Sequence, residues 1–123
     1  MTLFMASGIV GGSYQLLSKY IEKVRELGRD PTVSYPTRED LDYLSRLVES
    51  GSARNLYELL NILAQRFMER VDREAATLAF EELYGYRDEV LAVREVAKQL
   101  ASWLVEIALS MGMLRLRNVE YLR

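Results

Sequence analysis

The feature that most limits how this 123-residue chain can fold is a long apolar-periodic segment near its C-terminus, from about Arg87 toward Arg117. Its apolar residues recur at helical spacing and include the only tryptophan, Trp103. One broad face of this predicted helix holds Val93, Val96, Ala97, Leu100, Trp103, Leu104, Ile107, Ala108, Met111 and Leu114. A helix of this length cannot bury such a face alone, so the segment predicts a core helix packed against several others.

The second half of this helix is apolar on its other side as well. After Trp103 that side carries Val105, Leu109, Met113 and Leu116, with Glu106 at its margin. Two interpretations follow, and the sequence leaves both open. Either the helix is central and wrapped by the other helices, or the second stripe is a protein interface for another copy or another protein. The methionines suit an adaptable contact surface and a gap-filled core equally.

Four shorter helices are predicted before this one. The first is amphipathic and ends near Gly28, with a stripe formed by Val10, Tyr14, Leu17, Ile21 and Val24. Thr37, followed three residues later by Asp40, predicts the capped start of a second helix that ends at Gly51. Ser52 is the predicted cap of a third, and a fourth is broken at Gly85. We therefore expect one domain over residues 1–123, an all-α compact bundle of about five helices.

The composition removes most catalytic chemistries. The chain has no cysteine and no histidine, so thiolate nucleophiles, disulfides, the usual zinc sites and unaided acid–base catalysis near neutral pH are excluded. Adjacent carboxylates such as Glu81 and Glu82 point about 100° apart on a helix and do not converge. We predict no catalytic residue, no cofactor and no metal site, and we expect the protein not to be an enzyme.

The N-terminal apolar run "MTLFMASGIVGG" lacks a basic flank and is too short and glycine-rich for a secretory signal or a membrane span. No membrane association is therefore expected. The absence of cysteine is compatible with a reducing cytoplasm.

Basic residues are candidates for local contacts with nucleic acid. Sixteen basic and eighteen acidic residues give a net charge of −2, so no global field attracts a polyanion. Arg66, Arg70 and Arg73 are predicted to share a helical face, as are Lys19 and Lys23, and such rows can hold phosphates without reading sequence. The full set of candidate RNA contacts is Lys19, Lys23, Arg66, Arg70, Arg73, Lys98, Arg115 and Arg117. A solvated, ion-paired surface is the alternative interpretation.

The sequence resembles the small helical subunit of the type III-B (Cmr) CRISPR effector complex. The similarity is densest in the last helix, at Val90-Leu91, Ala97, Leu100-Ala101, Trp103-Leu104, Ile107-Ala108 and Met111. Upstream, "LYELLNILAQRFMERVDREA" is similar to the preceding leucine-rich helix of the family, and Gly8-Ile9 with Leu16-Leu17 is similar to its early glycine motif. Relatives often have basic residues directly after the tryptophan, where this chain has Val105 and Glu106.

The resemblance implies a non-catalytic role in antiviral defence in the cytoplasm. Copies of such a subunit stack along the inner side of a crRNA-guided ribonucleoprotein, contact its repeated backbone subunit and its large subunit, and help hold crRNA and target RNA. The alternative is a virus-encoded or host helical structural protein that self-assembles without a CRISPR partner.

Overall fold

The computed structural model describes residues 14–113, and this part of the chain is helical with short connections. The elements in order are α1 (Gln15–Glu26), a 3-10 helix (Pro31–Ser34), α2 (Arg38–Ser50), α3 (Leu56–Met68), α4 (Arg73–Tyr84) and α5 (Glu89–Ser110). The predicted all-α bundle of about five helices is confirmed. Val10 and Leu114, which were assigned to the first and last helical stripes, lie outside the described residues.

Local capping chemistry sets the ends of several helices where the sequence predicted them. Thr37 Oγ1 accepts from the Asp40 backbone N–H, and the Asp40 carboxylate accepts from the Thr37 backbone N–H, which completes the predicted capping box of α2. Gly51 and Gly85 end α2 and α4 with φ of 73° and 85°, in the left-handed region that favours glycine.

The start of α3 differs from the prediction. Asn55, not Ser52, is the N-cap, and its side chain accepts from the Glu58 backbone N–H at 2.8 Å. The hydroxyl of Ser52 instead shares a hydrogen bond of 2.6 Å with that of Ser50. Ala53, which follows Ser52, is buried, so one residue of the connection packs into the core before α3 begins. The choice between two good capping residues was therefore made by tertiary packing.

Helix α5 is the central element. It packs against each of the other four helices in the described part of the chain, and α1 also packs against α4. The helix begins after its N-cap Asp88 and ends at Ser110, with Gly112 at φ 75°, so it is shorter than the predicted run toward Arg117. Met111 was predicted to face the core, but it lies past the end of the helix and its side chain is 55% exposed.

The core is built around the side chain of Trp103. This residue is fully buried, and the ring of Tyr35 packs edge-on against it with 5.0 Å between ring centroids. The largest fully buried side chains come from α1, α2, α3 and α5: Trp103, Tyr20, Phe67, Leu16, Leu17, Leu44, Leu59, Leu63, Leu100 and Leu104. The interpretation of α5 as a helix wrapped by the others is therefore correct for the part of the helix around Trp103.

Helix α1 has no side-chain cap of its own. Tyr14 occupies the N-cap position, and the Leu17 backbone N–H in the first turn donates instead to Gln99 Oε1 of α5 at 2.7 Å. The Tyr14 hydroxyl donates to Glu106 Oε2, about two turns further along the same side of α5, at 2.5 Å. Burial raises the pKa of the Tyr14 hydroxyl, and the hydrogen bond to Glu106 raises it further. Helix α5 thus supplies the polar partners that fix the start of α1.

In residues 14–113, no helix has both the length and the apolar character needed to cross a membrane.

Replacing Trp103 by alanine should lower the free energy of unfolding by about 3–5 kcal/mol, because a fully buried aromatic side chain leaves a cavity among α5 and its neighbours. Urea unfolding followed by circular dichroism measures this change. Tyr57→Ala is the matched control, since Tyr57 is 72% exposed and its loss should change stability by less than about 0.5 kcal/mol. Equal effects of the two substitutions would show that Trp103 does not anchor the core.

Candidate functional site

Every predicted RNA contact that the structure describes is ion-paired within the chain. This holds for Lys19, Lys23, Arg66, Arg70, Arg73 and Lys98. Arg115 and Arg117 lie outside the described residues. The pairs fall into separate groups on different helices, and they do not form one basic surface.

Lys19 and Lys23 lie one turn apart on α1 and both bind Glu82 of α4. Each Nζ is 2.6 Å from a different oxygen of the Glu82 carboxylate, and Glu22 and Glu26 accept second contacts from the two lysines. Hydrogen bonds from Lys19 and Lys23 lower the pKa of Glu82 to about 2. The predicted shared face of the lysines is confirmed, but it faces a carboxylate from the same chain.

Arg66 and Arg70 converge on the buried carboxylate of Asp40. Arg66 Nε lies 2.7 Å from Oδ1, and Arg70 spans both oxygens at 3.1 and 2.7 Å. Burial opposes ionisation of Asp40, but the hydrogen bonds from Arg70 and Arg66 outweigh it, and the pKa of this carboxyl is lowered to about 2. The two guanidinium groups also lie 4.5 Å from the ring centroids of Tyr43 and Phe67. They therefore join α2 to α3 and to the turn that follows α3.

The predicted single face of Arg66, Arg70 and Arg73 is wrong. Helix α3 ends at Met68, so Arg70 lies in the following turn and Arg73 begins α4. Arg73 is 67% exposed and pairs with Glu89 at 3.0 Å. A helix interrupted between the residues cannot present them as one row.

The turn between α3 and α4 is held by a chain of hydrogen bonds through Tyr20. The Asp72 backbone N–H donates to the Tyr20 hydroxyl at 2.8 Å, and Ser34 Oγ donates to the Arg70 carbonyl at 3.1 Å. Since Ser34 uses its proton there, the Tyr20 hydroxyl donates to Ser34 Oγ, 2.7 Å away. Asp72 in turn caps α4 and binds the Arg29 guanidinium through both carboxylate oxygens.

Sequence periodicity missed the arginines that have no carboxylate partner among residues 14–113. These are Arg25, Arg38, Arg46, Arg54 and Arg94, and all five are exposed. They are distributed over three helices and one loop, next to acidic residues such as Glu39 and Glu95. No sequence spacing identifies these arginines, because whether an arginine has a carboxylate partner depends on which carboxylates the fold brings near it.

The predicted interface stripe is split between core and surface. Val105 is only 6% exposed and belongs to the core, and Leu109 is partly buried against it. Met113 is 40% exposed, and Leu116 lies outside the described residues. Val105 is therefore wrong as a docking residue, because the helices around α5 already cover it. Leu109 and Met113 stay predictions.

An open groove of about 400 Å³ lies between the start of α4 and the start of α5. Its lining residues are Arg73, Glu74, Thr77, Arg87 and Glu89. Thr77 Oγ1 donates to the Arg73 carbonyl, and the arginines are paired with Glu89 and Glu81. Across residues 14–113, no group of three or more acidic, histidine or cysteine side chains is arranged to hold a metal ion.

Removing the charge of Asp40 should make the fold less stable and less sensitive to acid. Asp40→Asn should lower the free energy of unfolding by about 2 kcal/mol at pH 7, because Arg66 and Arg70 lose charged hydrogen-bond partners. In the wild-type chain the Asp40 pKa falls from 3.8 to about 2 on folding, so its contribution is present above pH 3.8 and is lost as the pH falls through 2.

The measurement is urea unfolding at a series of pH values, with Asp42→Asn in the same helix as the control, since Asp42 is exposed. The wild-type and Asp42→Asn chains should lose stability on acidification more steeply than Asp40→Asn. Parallel pH profiles for all three chains would contradict a stabilising role for the ionised Asp40.

Comparison with known proteins identifies no relative of this chain. No protein-family model matches it. No curated protein and no solved structure matches it. What can be said of function therefore follows from the chain itself.

Proposed function

We propose that this protein is a non-catalytic structural subunit of a type III-B CRISPR (Cmr) ribonucleoprotein, equivalent to the small helical subunit of that complex. The observation that carries the proposal is the burial of most residues of the last helix that resemble the family. Ala97, Leu100, Ala101, Trp103, Leu104 and Ala108 are all buried in the central helix. Most of the pattern that resembles the family thus packs this bundle, whereas Val90 and Met111 of the same pattern are exposed. It supports a shared fold, from which the functional proposal follows by analogy.

In this proposal the subunit acts in antiviral defence in the cytoplasm. It contacts the backbone subunit, the large subunit and further copies of itself, and it helps hold crRNA and target RNA. Catalysis belongs to other subunits. This division of labour suits a chain without cysteine or histidine.

The ion pairs limit how such a subunit contacts RNA. A phosphate that binds Lys19 or Lys23 must compete with the Glu82 carboxylate, and one that binds Arg70 must compete with buried Asp40. The unpaired arginines offer contacts without that competition. RNA binding by the isolated protein should accordingly be weak and strongly dependent on salt.

Purification of the tagged chain from its native cells tests the proposal. We expect it to bring down the backbone and large subunits together with crRNA bearing repeat-derived 5′ ends. Recovery of a pure homopolymer without RNA would overturn the proposal and favour the self-assembling structural protein.

A matched pair of substitutions on α5 tests which cations contact RNA. Arg94 has no carboxylate partner among residues 14–113, whereas Lys98, one turn later, pairs with Glu95 at 3.5 Å. Arg94→Gln should lower the affinity of the purified protein for RNA more than Lys98→Gln, and it should reduce the slope of log affinity against log salt by about one unit. The measurement is fluorescence anisotropy with labelled RNA at several salt concentrations. A larger effect of Lys98→Gln would show that paired cations open to bind RNA.

A further inference from the structure

Helix α2 contributes little apolar surface to the core. Its buried apolar side chains are those of Leu41, Leu44 and Leu47, and of these only Leu44 is fully buried. Helices α1, α3 and α4 each pack more extensively on α5 than α2 does. Burial of three leucines offsets only part of the conformational entropy that is lost when the 13 residues of α2 are ordered. Another interaction must therefore hold α2 in place.

That interaction is made by the carboxylate of Asp40, which joins α2 to α3 and to the turn after α3. The Asp40 side chain is completely buried, and it accepts hydrogen bonds of 2.7 Å from both Arg66 and Arg70. We call these three residues the Asp40 cluster. Charge-assisted hydrogen bonds are about twice as strong as neutral ones, and salt screens a buried pair only weakly. One side chain in the first turn of α2 therefore makes the main polar link between this helix and the rest of the bundle.

The chain is anchored to the core immediately before and after α2. On the N-terminal side, Tyr35 packs on the ring of Trp103 in α5. On the C-terminal side, Ala53 is buried, whereas the Ser52 backbone N–H donates to the Leu47 carbonyl within α2. The segment between the two anchors can therefore move without displacing either of them.

We propose that α2 is a hinged helix. Residues 36–52 open away from the bundle as one unit while α1, α3, α4 and α5 remain folded, and the Asp40 cluster keeps the unit closed. A released helix of 13 residues is marginal in water, so opening also exposes the backbone N–H groups of α2 to exchange with solvent. This motion is a property of the chain alone and does not rest on the proposed function.

Native-state hydrogen exchange of the purified, RNA-free full-length protein tests the opening. Protection factors are measured residue by residue by NMR at several low urea concentrations. We expect amides of α2 to have protection factors at least about tenfold lower than amides of α5 near Trp103. They should also depend less on urea, because opening α2 exposes less surface than global unfolding. Equal protection and equal urea dependence in α2 and α5 would show that α2 opens only with the whole domain.

A matched pair of glycine substitutions separates the opening of α2 from global unfolding. Arg46 of α2 and Arg94 of α5 are both exposed arginines inside a helix, and glycine at either position weakens its helix by a similar amount. Arg46→Gly should lower protection about threefold in both helices, because α2 is unfolded in the open state and in the unfolded chain alike. Arg94→Gly should lower protection about threefold in α5 and leave α2 unchanged, because α5 is folded in the open state. An equal loss of protection in α2 and α5 after Arg94→Gly would overturn the proposal.

Asparagine substitutions test the role of the Asp40 cluster. Asp40→Asn should lower protection in α2 by at least about tenfold, because Arg66 and Arg70 lose their charged acceptor. Asp42→Asn, in the same helix, should lower it by less than about threefold, since Asp42 is exposed. Circular dichroism confirms that each variant is folded. Equal effects of the two substitutions would mean that the Asp40 cluster does not keep α2 closed. Because no RNA is present, these outcomes are separate from co-purification of crRNA, which alone decides the proposed function.

Discussion

The turn between α3 and α4 is the point on which the relative placement of the other elements depends. Its Arg70 side chain donates hydrogen bonds to the buried Asp40 of α2, and its Arg70 carbonyl accepts one from Ser34 Oγ of the 3-10 helix. Its Asp72 backbone donates to Tyr20 of α1. Three separate segments are thus held by hydrogen bonds to two residues of this turn, Arg70 and Asp72. Apolar packing around α5 brings the helices together, and this turn fixes their register.

Features set by neighbours in sequence were predictable. The Thr37 and Asp40 capping box and the left-handed glycines at 51 and 85 depend on residues within one helical turn, so their spacing was enough. The N-cap of α3 was not predictable in this way. Ser52 and Asn55 are both good caps, and the burial of Ala53 between them made the choice. A local sequence pattern predicts helix ends well, except where tertiary packing decides between two residues that are equally suited to cap the helix.

In the candidate site, too, features within one helix were predictable and contacts between helices were not. Periodicity placed Lys19 and Lys23 on one face correctly, but it carried no information on Glu82, which approaches from another helix. Arg70 and Asp40 are 30 residues apart, so nothing in the sequence indicated their contact. The half of α5 after Trp103 is apolar on both sides, and whether its second side faces the core or a partner was ambiguous for a related reason. Burial of Val105 depends on how many helices surround α5, which is a property of the fold and not of the helix.

The bond from Leu17 to Gln99 joins residues 82 positions apart. A chain leaving the ribosome makes α1 first, and at that stage the helix lacks the carboxamide that accepts its first-turn N–H. Until α5 is in place, only water can satisfy that donor. The start of α1 therefore reaches its observed hydrogen bonding through a non-local contact, which costs loop-closure entropy before it stabilises the fold.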